Sequence, residues 1–206
     1  MSRPAPAPDG NALRRAASRD RVIEAAIRLI AEQGFSDTSV EEIAAAAGVA
    51  KGTVFYNFGS KEQLFVQVLR EGLQRLAVRF VEAASGRHGL DAVAAMVRTE
   101  LEAIHTSPAM AQVLVAELFR PNRPWQAALR ELREEAVAPL RAVLEDGRER
   151  GELEGDLDVD AAAGALLGSV LVMGLDWLAF SPHRSLADVE AQVIRMFAGD
   201  LLPRPS

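Results

Sequence analysis

The chain has 206 residues, 49% of them hydrophobic and only 5% aromatic, no cysteine, and a formal net charge of −6. The absence of cysteine excludes a disulfide scaffold and fits a reduced compartment, and the length suffices to bury a full core, either in one helical body or in a small domain followed by a larger one. The charge distribution favours two parts: residues 1–70 hold nine Lys plus Arg against eight Asp plus Glu, and the remainder holds 14 against 21.

Residues 1–10, with proline at positions 4, 6 and 8, carry too little apolar surface to fold and read as the start of a disordered arm over 1–17. They lack the apolar core of a signal peptide, so the expected location is cytoplasmic. Arg14, Arg15, Arg19 and Arg21, with Lys51 and Lys61 further on, make a local basic patch suited to a polyanion. A helix follows over 19–33, with Val22, Ile23, Ala26, Ile27, Leu29 and Ile30 on a broad apolar stripe and Gly34-Phe35 as its stop.

Residues 36–65, SDTSVEEIAAAAGVAKGTVFYNFGSKEQLF, are the densest in signals. Ser39 stands three residues before Glu42, so hydroxyl and carboxylate can satisfy each other's backbone N–H groups and open a helix. Val40, Ile43, Ala44 and Ala47 share its inner face, and Gly48 supplies a left-handed end. A second apolar set, Val54, Phe55 and Phe58, resumes after Ala50, which puts Lys51, Gly52 and Thr53 at the N-terminal end of a second short helix. Ser60 to Gln63 caps a third. Two short helices around a three-residue turn make a helix-turn-helix, whose second helix can lie in a major groove with its first residues on base edges. Double-stranded DNA is therefore the expected partner, and 18–65 the expected DNA-binding domain.

The helix opening after Ser60 runs through Leu64, Phe65, Val68, Leu69, Leu73, Leu76, Val78 and Phe80 into a larger part, residues 66–206. Beyond Gly86 the punctuation predicts helices from Asp91 to about Thr106, from Pro108, over 125–150 with a kink at Pro139, over 161–180, and from a Ser185 cap to about Leu201. The fold class is all-α, with about nine helices. Met96, Phe119, Trp125, Met173 and Trp177 are large or soft apolar side chains suited either to the core or to the lining of an apolar cavity, and Asp176, His105, Gln112 and Glu117 are the polar candidates beside them.

Residues 161–175 carry no charge, and Gly164 and Gly168 form a small-xxx-small pair. A membrane span needs about 20 apolar residues, and Asp176 falls inside that window, so a buried bundle helix is the better reading. Burial on every side calls for a second copy of the chain, with Gly164, Gly168 and Leu171 in a homodimer interface. Glu102 and His105 have the Glu-x-x-His spacing of di-iron bundles, but the second copy of that motif is missing. His88 and His183 have no ligand partners at metal spacing, and no phosphate loop or nucleophile elbow occurs. Neither an enzyme, a metal site nor a cofactor is expected.

From about Arg19 to Leu69 the sequence resembles the TetR/AcrR family of bacterial transcriptional regulators. The matching register comprises Glu32-Gln33-Gly34-Phe35, Thr38-Ser39-Val40, Ile43-Ala44, Ala47-Gly48-Val49, Lys51-Gly52-Thr53, Tyr56-Asn57-Phe58 and Ser60-Lys61-Glu62. The resemblance implies DNA contacts at Thr38, Ser39, Lys51, Gly52, Thr53, Tyr56, Asn57 and Lys61, with Thr53 and Lys61 mostly on phosphates. Phe55 stands where many members have tyrosine, and Asn57 where they have an aromatic residue or histidine, which implies an altered operator preference. The resemblance further implies a homodimer on a palindromic operator, a small and mostly apolar effector, and more often repression than activation. A helical adaptor that keeps the fold without specific DNA binding is the alternative that the changes at 55 and 57 leave open.

Overall fold

The computed structural model describes residues 10–118, 120 and 123–202. Among these residues there are nine helices and no strand, and the chain divides after Val68 into two compact units.

The first unit contains α1 (Gly10–Gln33), α2 (Val40–Ala47), α3 (Lys51–Phe58) and the start of α4 (Lys61–Ala84). Helix α1 begins at Gly10, so residues 10–17, expected in the disordered arm, are helical; residues 1–9 lie outside the described ones. The physical reason is local: Ala12, Leu13, Arg14, Arg15, Ala16 and Ala17 are good helix formers, and extending an existing helix avoids the nucleation cost. Gly34 ends α1 at φ 85°, its N–H bonded to the Ile30 carbonyl at 2.9 Å. The Phe35 ring then meets Phe65 with centroids 5.0 Å apart.

Ser39 caps α2 as its sequence spacing predicts. The Glu42 N–H donates to the Ser39 hydroxyl at 3.1 Å, and the Ser39 N–H donates to the Glu42 carboxylate at 2.7 Å. At the other end Gly48 adopts φ 65°, a left-handed conformation that costs a residue without Cβ nothing, and the Val49 N–H closes on the Ala44 carbonyl at 3.0 Å. Val22, Ile23, Ala26 and Ile30 of α1, Val40, Ile43, Ala44 and Ala47 of α2, and Val54 and Phe58 of α3 are each 7% exposed or less and form the common core.

The second unit holds the rest of α4 with α5 (Gly89–Thr106), α6 (Pro108–Leu118), α7 (Gln126–Glu149), α8 (Val159–Phe180) and α9 (Leu186–Leu201). Helix α5 is the central element and packs against α6, α7, α8 and α9. Two glycines allow close approach. A Cβ on Gly174 of α8 would lie 2.7 Å from Ile104 Cδ1 of α5, and one on Gly147 of α7 would lie 2.7 Å from Leu153 Cδ1 and 3.4 Å from the Gly89 backbone. Helix α7 continues through Pro139, which has no N–H to give the Glu135 carbonyl four residues back. Asp158 caps α8 through the Ala161 N–H at 3.0 Å, and Ser185 with Asp188 forms a capping box on α9. The ion pairs Arg79–Glu102 at 2.9 Å and Arg98–Glu190 at 2.5 Å tie α4 and α9 to α5; the first, between two exposed side chains, contributes about 1 kcal/mol or less.

Helix α8 is long and apolar enough to cross a membrane by length and composition. Its inner face, with Ala163, Leu166, Leu167, Val170, Gly174 and Trp177, is buried, and α5, α6 and α7 pack against the helix. Only 33% of its apolar window is buried within the protomer, so a broad face stays open, with Val172 and Phe180 at 55% and 78% exposure.

Two stability tests follow. Gly147→Ala gains roughly 1 kcal/mol of helix propensity but presses a methyl into Leu153, where overpacking costs about 1–3 kcal/mol; urea unfolding should show net destabilisation. In the α2 cap, the Ser39 hydroxyl and backbone N–H hold the Glu42 carboxyl below its ordinary value of 4.5. The cap therefore stabilises the fold above that value, and the benefit is lost as pH falls through the lower folded-state value. Glu42→Gln should be less stable than the parent at pH 7, with the difference shrinking below about pH 4.

Candidate nucleic-acid interface

Helix α3 has only eight residues and buries two of them, Val54 and Phe58, so one face is packed and the other faces solvent. The open face carries Lys51, Gly52, Phe55 and Tyr56, the two aromatic residues at 42% and 72% exposure. Ala50 at the N-cap offers no side-chain acceptor. Only the Thr53 N–H is turned back, onto the Ala50 carbonyl at 2.8 Å, which leaves the first N–H groups pointing outward as an anion-accepting end. A Cβ on Gly52 would meet nothing within 4 Å, so a ligand can reach that backbone without displacing protein atoms.

The predicted contact residues separate into three sorts. Lys51, Gly52 and Tyr56 are exposed on α3. Lys51 is ion-paired with Glu41 of α2 and stands 5.6 Å from the Phe55 ring centre. That pairing holds the Glu41 carboxyl below the ordinary carboxylate range. Tyr56 accepts a hydrogen bond from Arg15 at 3.2 Å, and that guanidinium also lies 5.5 Å from the ring centre. Ser39, Thr53, Asn57 and Lys61 are half-exposed, and the side chains of Ser39, Asn57 and Lys61 are already engaged. Ser39 is the α2 cap, and the Asn57 amide donates to the Thr53 carbonyl at 2.8 Å. The Lys61 ammonium donates to the Ser36 carbonyl at 3.3 Å and lies 4.3 Å from the Phe35 ring centre. That answers the conflict between a cation and the positive end of α4, because the side chain folds back onto the α1–α2 loop.

Thr38 is the exception. It is 1% exposed, and its hydroxyl donates to the Gly34 carbonyl at 2.8 Å, so the side chain fastens the loop before α2 from inside instead of facing a ligand. The sequence pattern named Arg15 only as part of a basic patch and missed Glu41. Arg15 reaches the α3 face from the part of α1 read as an arm. Glu41 enters because positions 41 and 51 meet across the turn. A further basic side chain, Arg21, donates to the Ala47 carbonyl at 3.2 Å and so opposes the negative end of α2.

In the second unit the apolar candidates are dispersed. Met96 is fully buried on α5, and Trp125 is 2% exposed. Trp177 is 6% exposed, donates its N–H to the Arg184 carbonyl at 3.0 Å and stacks on His105 with centroids 5.4 Å apart. Met173 is half-buried, and Phe119 lies outside the described residues. A surface groove of about 640 Å³ lies between α4 and α7, lined by Val81, Glu82, Ala84, Ser85, Pro139, Ala142 and Val143, and none of the five candidates lines it. Of the polar candidates, Asp176 and Gln112 face solvent, whereas Glu117 is buried within 3.5 Å of Arg120 and 3.6 Å of Arg123. Glu102 is taken by Arg79 and His105 by Trp177, so the Glu-x-x-His pair is spent on packing; no cluster of three metal-ligating side chains occurs among the described residues. On α8, a Cβ on Gly168 would meet nothing within 4 Å, whereas one on Gly164 would lie 3.0 Å from the Arg133 guanidinium of α7, and Leu171 is half-buried.

Comparison with known proteins agrees with this geometry. The profile of bacterial regulatory proteins of the tetR family matches residues 22–68, and that of the tetracyclin repressor-like C-terminal domain matches residues 86–199. The chain is 34% identical over 163 residues to the HTH-type transcriptional repressor KstR2 of Rhodococcus jostii (strain RHA1), covering 77% of this chain and 78% of that one. It is 25% identical over 185 residues to the fatty acid metabolism regulator protein of Bacillus subtilis (strain 168), covering 88% and 94%. Among solved structures, the transcriptional regulator FadR from Bacillus subtilis in complex with stearoyl-CoA superposes with a TM-score of 0.77 at 24% identity, over 86% of this chain and 96% of that one. A helix-turn-helix with an open reading face in one unit, a helical body in the other, and matches to both halves of one family lead to a single assignment: the chain belongs to the tetR family of bacterial transcriptional regulators.

Proposed function

We propose that this regulator is a cytoplasmic, ligand-responsive repressor that binds a palindromic operator as a homodimer and is released by a small, mostly apolar effector. The observation that carries the DNA part is the exposed strip Lys51, Gly52, Phe55 and Tyr56 on the far side of α3 from Val54 and Phe58. An eight-residue helix with an open N-terminal end suits the major groove, its first residues on base edges. Lys51 and Tyr56 are the base-reading candidates. Gly52 and Thr53 bring backbone and hydroxyl towards phosphate, and Lys61 binds phosphate after leaving the Ser36 carbonyl. Thr38 acts indirectly by holding Ser39 in place. The adaptor alternative falls away, because the reading face is present and the relatives are named as transcriptional repressors and regulators.

Support for the dimer comes from α8 and α9. The uncovered face of α8 presents Ala165, Gly168 and Val172, and α9 exposes Met196. Gly164 belongs to the side facing α7. Support for a lipid-like effector comes from the likeness to a fatty acid metabolism regulator and to a structure holding stearoyl-CoA. Switching requires that effector and operator favour different dimer states, and a reciprocal coupling of about 1–3 kcal/mol suffices.

Selection of bound duplexes from a random pool, followed by anisotropy titration across salt, tests the reading: a palindrome with steep salt dependence is expected, and no enrichment over non-specific binding would refute it. Lys61→Ala should weaken all duplexes and lower the salt slope by about one, whereas Lys51→Ala and Tyr56→Ala should change the ranking of operators by about 1–3 kcal/mol at a base position. Glu41→Gln frees Lys51 and removes an anion from the reading face, so it should tighten binding to every duplex and steepen the salt slope. Gly168→Leu fits the open space of the protomer but not a close helix pair, so sedimentation should show monomer with the fold intact.

A further inference from the structure

Helix α5 carries a carboxyl where its packing pattern calls for an apolar group. Val93, Met96, Val97, Glu100 and Ile104 recur at helical spacing on one stripe. The four apolar members are 3% exposed or less, and Glu100 is 4% exposed. Thr38 bonds the Gly34 carbonyl and Thr99 the Ala95 carbonyl, and the buried Glu117, although its Oε2 accepts no hydrogen bond, has the charges of Arg120 and Arg123 within 3.5 and 3.6 Å. Glu100 has no hydrogen bond or ion pair among the described residues, and burial alone pushes its carboxyl well above the usual carboxylate range. One turn away Ile104 meets Gly174 of α8, and one turn back stands Met96.

A carboxyl in such a place opposes folding, since it loses water and gains nothing in exchange. An apolar residue of the same volume would serve the core better. The group becomes useful when something enters that can bond it. We propose that Glu100 is the polar handle of the effector site, hydrogen-bonding an uncharged carbonyl or hydroxyl oxygen carried by an otherwise apolar effector. This rests on the reading of the second unit as effector-binding and narrows the effector class within it. In apolar surroundings the neutral acid is the favoured form, with an O–H to donate to a carbonyl oxygen and a C=O to accept from a hydroxyl. An isolated carboxylate or ammonium on the effector would bring its own desolvation cost into the same place.

The test uses the full chain, its Glu100→Leu and Glu100→Gln variants, and four matched probes: 2-octanone, 1-octanol, octane and octylammonium. Binding is read from Trp fluorescence, since Trp177 of α8 stacks on His105 of α5, and stability from thermal unfolding without probe. The ketone and alcohol should bind the parent, lose at least about tenfold in affinity in Glu100→Leu and keep most of it in Glu100→Gln, while octane binds the parent and Glu100→Leu alike. Glu100→Leu should also melt above the parent, a gain that a structural carboxyl would not give. A lower melting temperature with unchanged ketone affinity would overturn the assignment, as would preference for octylammonium, which would make the handle an ionised carboxylate. Failure of every probe, octane included, to bind the parent would remove the effector site from the second unit and the proposal with it; the melting of Glu100→Leu would still report separately whether the carboxyl has a structural partner.

Discussion

The reading face depends on a three-residue turn. An eight-residue helix is too short to hold itself together in water, so α3 exists only because Val54 and Phe58 are buried against its neighbours. They reach the core only if the chain reverses directly after Ala47, and the left-handed Gly48 permits that reversal. The Ser39–Glu42 box fixes the other end of α2 and leaves it no freedom to slide. With both ends of α2 held and two side chains of α3 anchored, the remaining positions of α3 have nowhere to point but outward. An exposed lysine and glycine at the head of that helix, and a tyrosine further along it, are consequences of the turn as much as of any selection for contact.

That face is not idle without DNA. Lys51 is held by Glu41, Tyr56 by Arg15, Lys61 by the Ser36 carbonyl, and Asn57 by the Thr53 carbonyl. Such exposed bonds are weak against solvent and salt and can be exchanged for bonds to a phosphate or a base edge. They also restrict the freedom of long side chains, which lowers whatever ordering cost a later contact carries. Thr38 belongs to the framework behind the face, its hydroxyl bonded to the Gly34 carbonyl.

The second unit is organised differently. Its central helix α5 is enclosed by four others, and close approaches at Gly174 and Gly147 set how tightly they pack. Side chains with soft or aromatic character went mainly into that packing: Met96, Trp125 and Trp177 are core residues first. The departures from an ideal core stand out against it. Glu100 is a carboxyl in an apolar stripe, and the outer face of α8 is apolar where solvent should meet polar groups. Neither improves an isolated protomer, and they are the features on which the proposed effector contact and the proposed dimer rest.

The sequence alone determined whatever is settled within a few residues: the caps at Ser39 and Ser185, the stops at Gly34 and Gly48, the all-α class and the helix-turn-helix with its exposed N-terminal end. Those features are decided by hydrogen bonds between residues three or four apart and by backbone geometry at single glycines, so spacing suffices to read them. The burial of Glu100 was also legible, since it falls on the same wheel as Val93, Met96, Val97 and Ile104, but a lone acid in an apolar pattern is easily passed over as solvent-facing. Tertiary structure alone decided that Thr38 points inward, that Glu41 meets Lys51, that Arg15 reaches Tyr56 from a helix extending back to Gly10, and that Gly164 lies against α7 while Gly168 faces open space. Each of these turns on which residues distant in sequence, or on different helices, become adjacent, and adjacency between elements is set by packing that no local pattern records.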